Sequence, residues 1–122
     1  MKIYLSGKMR GRTEFIDFHA AAKQLRAEGH EVFNPAEKEE EFCPLGTDEV
    51  PTQAFLRAVF ELDTAWICRH ADVVALLPGW EKSKGACAEK ALAEAIGLQV
   101  NYMWYRHSEL SWIMRDKYDA RE

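Results

Sequence analysis

The stretch that decides the fold is residues 71–77, Ala-Asp-Val-Val-Ala-Leu-Leu. After Asp72 it is continuously apolar, which is typical of a strand buried on both faces of a parallel sheet. A turn at residues 78–84 follows, and then an alanine-rich segment, residues 85–96, which predicts a helix ended by Gly97. Another strand is predicted at residues 99–104. This strand–helix–strand order is typical of neighbouring parallel strands joined by a crossover helix.

The same alternation extends towards the N-terminus. It predicts a strand, a helix capped by Thr13 and ended by Gly29, a short strand, and an amphipathic helix at residues 2–6, 13–29, 31–33 and 52–70. Residues 36–51, which are acidic and end in Pro and Gly, predict an exposed loop or lid, and residues 108–118 predict a terminal helix. We therefore expect one α/β domain over residues 1–122, with a doubly wound parallel sheet of the Rossmann or flavodoxin type and helices on both faces.

Composition narrows the classes of partner. The 122 residues include 16 Lys and Arg against 20 Asp and Glu, so long nucleic acid is a poor partner. No apolar run is long enough to span a bilayer, the first residues do not resemble a signal peptide, and three scattered cysteines do not form a disulfide framework. The four histidines have no metal-ligand spacing. We expect a cytoplasmic protein that binds a small molecule, does not associate with a membrane, and requires no metal and no cofactor.

The turn after the first predicted strand carries the first candidate binding residues. Gly7, Lys8, Arg10 and Gly11 lie between a strand and a helix N-terminus, where glycines and cations suit a phosphate. It is not a Walker A loop, because Met9 stands where Ser or Thr should follow the lysine. A basic surface turn without a ligand is the alternative, and the pattern favours neither.

The turn at residues 83–89 is more informative. Ser83 can cap the following helix and donate to an anion, and Gly85 leaves room for a ligand to approach the backbone N–H groups. Glu89 lies about one and a half turns into that helix, framed by small residues at its i−4, i−3 and i+4 positions. The alternative for Glu89 is an ordinary solvated glutamate, which the helix pattern alone favours at least equally.

Asp63 is the other candidate carboxyl group. Its helical position places it on the same face as Val59 and Trp66, so we expect it to be half buried. A carboxyl group held against apolar side chains has a raised pKa and can act as an acid. A polar residue at the edge of the core, with no chemical role, is the alternative.

Three segments, residues 4–10, 61–74 and 83–97, resemble in this order the nucleoside 2-deoxyribosyltransferase superfamily, and the likeness extends over most of the chain. Within that superfamily the chain is most similar to the 2'-deoxynucleoside 5'-phosphate N-hydrolases and to short phage-associated proteins. The matching positions are Tyr4, Gly7, Arg10 and Gly11, then Asp63 with residues 71–74, then Ser83, Gly85, Glu89, Gly97 and Val100.

The resemblance implies a role for each of these groups. Glu89 would be the nucleophile, Asp63 the proton donor or sugar-orienting acid, and Tyr4 the group that positions the glutamate. Ser83 and Arg10 would bind a 5'-phosphate, and Ser111 resembles a serine that reaches the phosphate of a neighbouring subunit, which implies a homodimer.

The reaction so implied is hydrolysis of the N-glycosidic bond of a (deoxy)nucleoside 5'-monophosphate through a covalent glycosyl–Glu89 intermediate. The transferases of the superfamily place an aspartate six residues before the glutamate, where this chain has Ser83, a donor without a charge that repels phosphate. Two other functions stay open: base exchange by a deoxyribosyltransferase, and a non-catalytic module that binds or senses a nucleotide. A purely structural protein would leave the glycine-rich turns without a ligand.

Overall fold

The computed structural model describes residues 1–9, 12–42 and 52–118. In chain order the strands and helices are β1 Lys2–Ser6, α1 Arg12–Ala27, β2 Glu31–Phe33, α2 Pro35–Phe42, α3 Gln53–His70, β3 Val73–Leu76, a 3₁₀ turn Trp80–Lys82, α4 Lys84–Ala95, β4 Gln99–Arg106 and β5 Ser111–Arg115. Strand and helix alternate through most of the chain, as the hydrophobic pattern predicts.

The strands form one sheet in the order β2-β1-β3-β4-β5. The first four are mutually parallel and β5 is antiparallel to β4. This is the flavodoxin-like strand order with an added antiparallel edge, and it confirms the predicted α/β class with helices on both faces. In such sheets ligands bind beyond the carboxyl ends of the strands, which here are the ends of β1 and β3.

Alternation along β1 divides its side chains between two apolar cores. Ile3 and Leu5 face α1 on one side of the sheet, whereas Tyr4 belongs to the core under α3 and α4 on the other. β3 is buried on both faces, as its continuous apolar sequence predicts. None of the helices within the described residues is long and apolar enough to cross a bilayer.

The predicted terminal helix at residues 108–118 is wrong, because this region contains β5. A helix would place Leu110 on the same side as Ile113 and Met114, but Leu110 is 77% exposed and turns the chain with a φ of 51°. Trp112 is buried instead, and Met114 packs beside it against the α1 core. That spacing of two is the period of a strand, which pairing with β4 enforces.

The prediction of a loop at residues 36–51 is wrong in its first part, where α2 forms. Pro35 occupies the first helical position, and the Asn34 side chain accepts a hydrogen bond of 3.0 Å from the Ala36 N–H. Ala36 anchors the helix because it is fully buried in the α1 core. The rest of the predicted loop, residues 43–51, lies outside the described residues. The predicted helix cap Thr13 lies within α1, which begins one residue earlier, at Arg12.

Candidate active site

A pocket of about 560 Å³ opens at the carboxyl ends of β1 and β3. Its described lining consists of Gly7, Lys8 and Met9 after β1, Leu56, Val59, Phe60 and Asp63 from α3, and Lys82, Ser83, Lys84, Gly85, Ala86 and Glu89 around the start of α4. The turn after β1, the turn before α4 and the helix face of Asp63 therefore meet in one cavity. Sequence reasoning had singled out these three segments separately.

Glu89 is carried into the cavity by the buried face of α4. The helix begins after Ser83, whose side chain accepts a hydrogen bond of 3.1 Å from the Ala86 N–H and so caps the first turn. Ala86, Glu89 and Ala93 are the buried residues of α4, and they follow each other at helical spacing. Glu89 is only 6% exposed, and its neighbours on this helix face are small alanines, so its side chain still borders the pocket.

Each oxygen of the Glu89 carboxylate accepts a hydrogen bond from β1. The Tyr4 hydroxyl donates to Oε2 over 2.6 Å, and the Ser6 hydroxyl donates to Oε1 over 2.6 Å. Tyr4 and Ser6 are two residues apart in a strand, so both side chains project from the same face of the sheet. Charge-assisted bonds this short are strong, and together they fix the orientation of the carboxylate plane.

Tyr4 is held rigidly under the pocket. Its ring stacks on Phe33 at a centroid separation of 5.4 Å, and Trp66 lies 6.4 Å away. Burial raises the pKa of Tyr4 well above its ordinary value, and the negative charges and hydrogen bonds of Glu89 and Asp63 raise it further. The phenol therefore stays protonated and acts as a permanent donor to Glu89.

Asp63 supplies the second carboxyl group of the cavity. It is 2% exposed, so it lies deeper than the half-buried position that the helix pattern predicts. Ile67, one turn later, is the other buried residue of α3, which explains why this helix face carries Asp63 into the interior. Asp63 also acts on the Tyr4 hydroxyl, both through its charge and through hydrogen bonding. Tyr4 therefore links the two carboxyl groups.

The opening of the pocket has the opposite charge. Lys8, Lys82 and Lys84 line it and are exposed, in contrast to the buried carboxyl groups below them. Lys8 also forms a salt bridge with Glu14, in which the Lys8 Nζ and Glu14 Oε1 atoms are 4.0 Å apart. Gly85 packs tightly here, because an added Cβ would lie 3.3 Å from the Phe60 ring and 3.8 Å from the Ser83 hydroxyl.

The other predicted site residues have different outcomes. Gly7 lines the pocket and lets β1 approach β3, since an added Cβ would lie 3.1 Å from Leu77 Cβ. Arg10 and Gly11 lie outside the described residues. Ser111 begins β5 and its hydroxyl accepts a hydrogen bond of 3.1 Å from Arg106, but it is not part of the described pocket lining. Its contribution to a neighbouring subunit therefore stays a prediction.

Sequence reasoning missed three polar residues of this site, namely Ser6, Lys82 and Lys84, and it did not assign the apolar side chains of the lining to the site. The signal for Ser6 was available, because a side chain two residues after Tyr4 in a strand must share its face. Lys82 and Lys84 flank the predicted cap Ser83, so the turn that carries Ser83 had to bring them near the same opening.

The arrangement combines groups suited to displacement at a carbon centre. It offers an oriented carboxylate, a second carboxyl group linked to it through Tyr4, and an apolar wall of Met9, Leu56, Val59 and Phe60. Such pairs of carboxyl groups in different environments can divide nucleophile and acid roles between them. An anionic group of a ligand would be attracted to the lysines at the opening.

Comparison with known proteins identifies the family and the fold. The model of a family described as "Domain of unknown function (DUF4406)" matches residues 1–102, and the chain belongs to that family. Among solved structures, the chain is similar to a 2-deoxyribosyltransferase from the psychrotolerant bacterium Bacillus psychrosaccharolyticus, with a TM-score of 0.65 and 25% sequence identity over 84% of this chain and 71% of that one. The fold is thus 2-deoxyribosyltransferase-like. A search of curated proteins finds no significant match.

Proposed function

We propose that this DUF4406 protein hydrolyses the N-glycosidic bond of a (deoxy)nucleoside 5'-monophosphate, with Glu89 as the nucleophile. The observation that carries the proposal is the Glu89 carboxylate itself: it borders a ligand-sized cavity, is almost fully buried, and has each oxygen held by a hydroxyl at 2.6 Å. A glutamate held by two donors inside a pocket differs from the solvated helix glutamate that was its alternative interpretation. Similarity to a 2-deoxyribosyltransferase supports a nucleoside as the substrate class.

In the first half-reaction a Glu89 oxygen attacks the anomeric carbon C1' and the bond from C1' to the base nitrogen breaks. Its electron pair leaves with the base, which takes a proton from Asp63. The burial of Asp63 supports this role, because a desolvated carboxyl group favours its protonated form. In the second half-reaction water attacks C1', the ester to Glu89 breaks, and the sugar 5-phosphate is released.

The opening of the pocket supports a phosphorylated substrate. Ser83 caps α4, and the N-terminal end of a helix favours anions. Lys8, Lys82 and Lys84 add positive charge around the same opening. A 5'-phosphate placed there would lie above a base and sugar that occupy the space between the apolar wall and Glu89. Arg10 and Ser111 are further proposed phosphate ligands, the latter from the second subunit of a homodimer.

Base exchange is the second candidate function, and the similarity to a 2-deoxyribosyltransferase favours it. The same glycosyl–Glu89 intermediate would then be attacked by a second base instead of water. Ser83 argues against this reaction on a free nucleoside, because a carboxylate at that position would accept from a 5'-hydroxyl, whereas a serine in a basic opening suits a phosphate.

The experiment that tests the proposal is an incubation of purified protein with nucleosides and their 5'-monophosphates, with and without an acceptor base. Chromatography would resolve free base, sugar phosphate and exchanged nucleoside. Release of base and sugar phosphate from monophosphates alone is the expected result. Products only in the presence of an acceptor would establish base exchange. Bound nucleotide with no product in either condition would overturn both enzymatic functions in favour of a binding module.

A further inference from the structure

We infer that Ser6 is a positioning residue that sets the relative rates of the two half-reactions, which are attack by Glu89 on the sugar and release of Glu89 from it. The inference rests on the proposed function and goes beyond it, because it assigns a separate role to the second hydrogen-bond donor on the carboxylate. Ser6 is 1% exposed at the end of β1, and its hydroxyl donates to Glu89 Oε1 while Tyr4 holds Oε2. A single donor would be sufficient to anchor one oxygen, so the second donor needs a physical explanation.

The place of Ser6 in the sheet makes this contact rigid. The Ser6 carbonyl accepts a hydrogen bond of 2.8 Å from the Leu77 N–H, and Ser6 is paired with Leu76 of β3 in the sheet. Ser6 is therefore fixed by the backbone ladder between the two central strands, and its side chain is enclosed beneath α4. The hydroxyl cannot follow Glu89 if the carboxylate moves, so the hydrogen bond favours one position of that group.

The charge of Glu89 changes in opposite directions in the two half-reactions. When a carboxylate oxygen bonds to C1', the carboxylate loses its negative charge, and a hydrogen bond to it becomes weaker. When water attacks C1', the C1'–O bond breaks, the electron pair returns to Glu89, and the water proton passes to the Asp63 carboxylate left by the first step. The negative charge is then restored and the bond from Ser6 becomes stronger. Ser6 therefore disfavours attack slightly and favours release of the glutamate, which keeps the covalent intermediate short-lived.

Two variants separate this effect from packing. Ser6→Ala removes the donor and leaves a small cavity, whereas Ser6→Cys fills the space and provides only a weak donor. We expect breakdown of the glycosyl–enzyme to slow about tenfold in Ser6→Ala, the order expected for part of one charge-assisted hydrogen bond, and to slow less in Ser6→Cys. Base release in the first turnover should change by less than about threefold, since weaker positioning offsets the more nucleophilic carboxylate.

Rapid-quench measurements of the first turnover, combined with the intact mass of the quenched protein, give both rates. The expected signature is a burst of free base and a covalent sugar-phosphate adduct that accumulates in Ser6→Ala and not in wild type. Thr64→Ala, which removes an α3 hydroxyl that donates to the Phe60 carbonyl, is the control and should behave like wild type. Equal slowing of both half-reactions, or full recovery in Ser6→Cys, would overturn the inference because either result points to packing.

A second measurement is independent of the substrate, so it distinguishes failure of this inference from failure of the proposed function. Carboxyl-labelled glutamate allows Glu89 to be titrated by NMR in the free protein. Loss of a donor to the charged form raises the pKa of that carboxyl relative to wild type. If the pKa of Glu89 rises in Ser6→Ala but wild type releases no base from any substrate, the hydrogen bond from Ser6 is supported and the glycosidase function is rejected. An unchanged titration would reject the role of Ser6 whatever the activity.

Discussion

The floor and the opening of one pocket have opposite properties. The floor consists of Tyr4, Ser6, Asp63 and Glu89, which are almost fully buried, carried by a central strand and two helices, and connected by hydrogen bonds. The opening consists of Lys8, Lys82 and Ser83, which lie on turns, and of Lys84, the first residue of α4; the three lysines are exposed.

The difference indicates that the floor and the opening contribute to different steps, the floor to the chemistry and the opening to substrate selection. Groups held by β1 and α4 have one available position each, which suits a reaction that depends on orientation within a few tenths of an ångström. Exposed lysines interact with a ligand through a medium of high dielectric, so each contributes less energy and tolerates more movement. We therefore expect substitutions on the floor to change the rate of the chemical step, and substitutions at the opening to change which substrate is preferred.

The largest expected effect is that of Glu89→Gln. The amide keeps the shape of the side chain and can still accept from one of the two hydroxyls, but it has no attacking charge. Turnover should fall by roughly four to six orders of magnitude, the range over which loss of one member of a catalytic triad acts. Substrate affinity, measured by calorimetry, should change little. Glu94→Gln, on the exposed end of α4, is a matched control. Appreciable base release by Glu89→Gln would reject the nucleophile assignment.

Asp63→Asn should have the next largest effect on the rate. An asparagine cannot deliver a proton, and general acid help contributes about 10²- to 10⁴-fold. The loss should be greatest for substrates whose base is a poor leaving group and smallest for an activated base. Rates for a series of leaving groups would measure this dependence. If poor and activated bases lose rate equally, Asp63 orients the sugar and another group acts as the acid.

Ser83→Asp tests the opening against the floor. Two unit charges 4 Å apart at an effective dielectric of about 20 repel by about 4 kcal/mol, and screening by solvent and salt at a partly exposed site such as Ser83 reduces this energy. We expect kcat/KM for the monophosphate to fall by roughly ten- to a hundredfold relative to the nucleoside, while aspartate still caps α4. The ratio of the two kcat/KM values at constant salt is the decisive quantity. A ratio near one in wild type would remove the basis for a phosphate at this opening.

Much of the fold was predictable because hydrophobic pattern and position agree in the middle of the sheet. The continuous apolar run of β3 and the capped, alanine-rich α4 each allow only one interpretation. At the edge of the sheet the pattern is ambiguous. Residues 108–118 offer apolar side chains at both helical and strand spacing, and only pairing with β4 selects the strand. α2 was missed because a run of charged side chains was interpreted as surface, although Asn34 and Pro35 provide a helix start.

The site was predictable to the extent that each residue had a local signal. Ser83 and Glu89 lie on one helix, so their spacing fixed their relation. Asp63 was recognised, but its depth depends on how α3 packs against α4, which no local pattern contains. Ser6 was missed for a related reason. The strand period places Ser6 on the same face as Tyr4, but its contact is with a residue 83 positions later, which no local pattern contains.

The smallest expected effect concerns stability at alkaline pH and isolates one bond of the floor. The folded-state pKa of Tyr4 is raised above the value of about 10 that tyrosine has in an unfolded chain, because of burial first and then because of Glu89 and Asp63. The stability that Tyr4 contributes is therefore fully present below about pH 10 and is lost as the pH rises towards its folded-state pKa. Between these two values the loss is about 1.4 kcal/mol per pH unit.

Tyr4→Phe removes both this contribution and its pH dependence. At pH 8 the variant should be less stable than wild type by about 1–3 kcal/mol, since one Glu89 oxygen loses its donor in a buried site. Urea unfolding from pH 8 to 11 should show a constant difference in the free energy of unfolding up to about pH 10 and a decreasing one above it. Above that pH the phenol of Tyr4 is ionised in the unfolded chain, so only wild type must take up a proton in order to fold. Tyr105→Phe, on the opposite face of the sheet, controls for removal of a tyrosine hydroxyl elsewhere. A wild-type advantage that stays constant through pH 11 would mean that the Tyr4 phenol ionises as readily when folded as when unfolded, and the hydroxyl could then not be a permanent donor to Glu89.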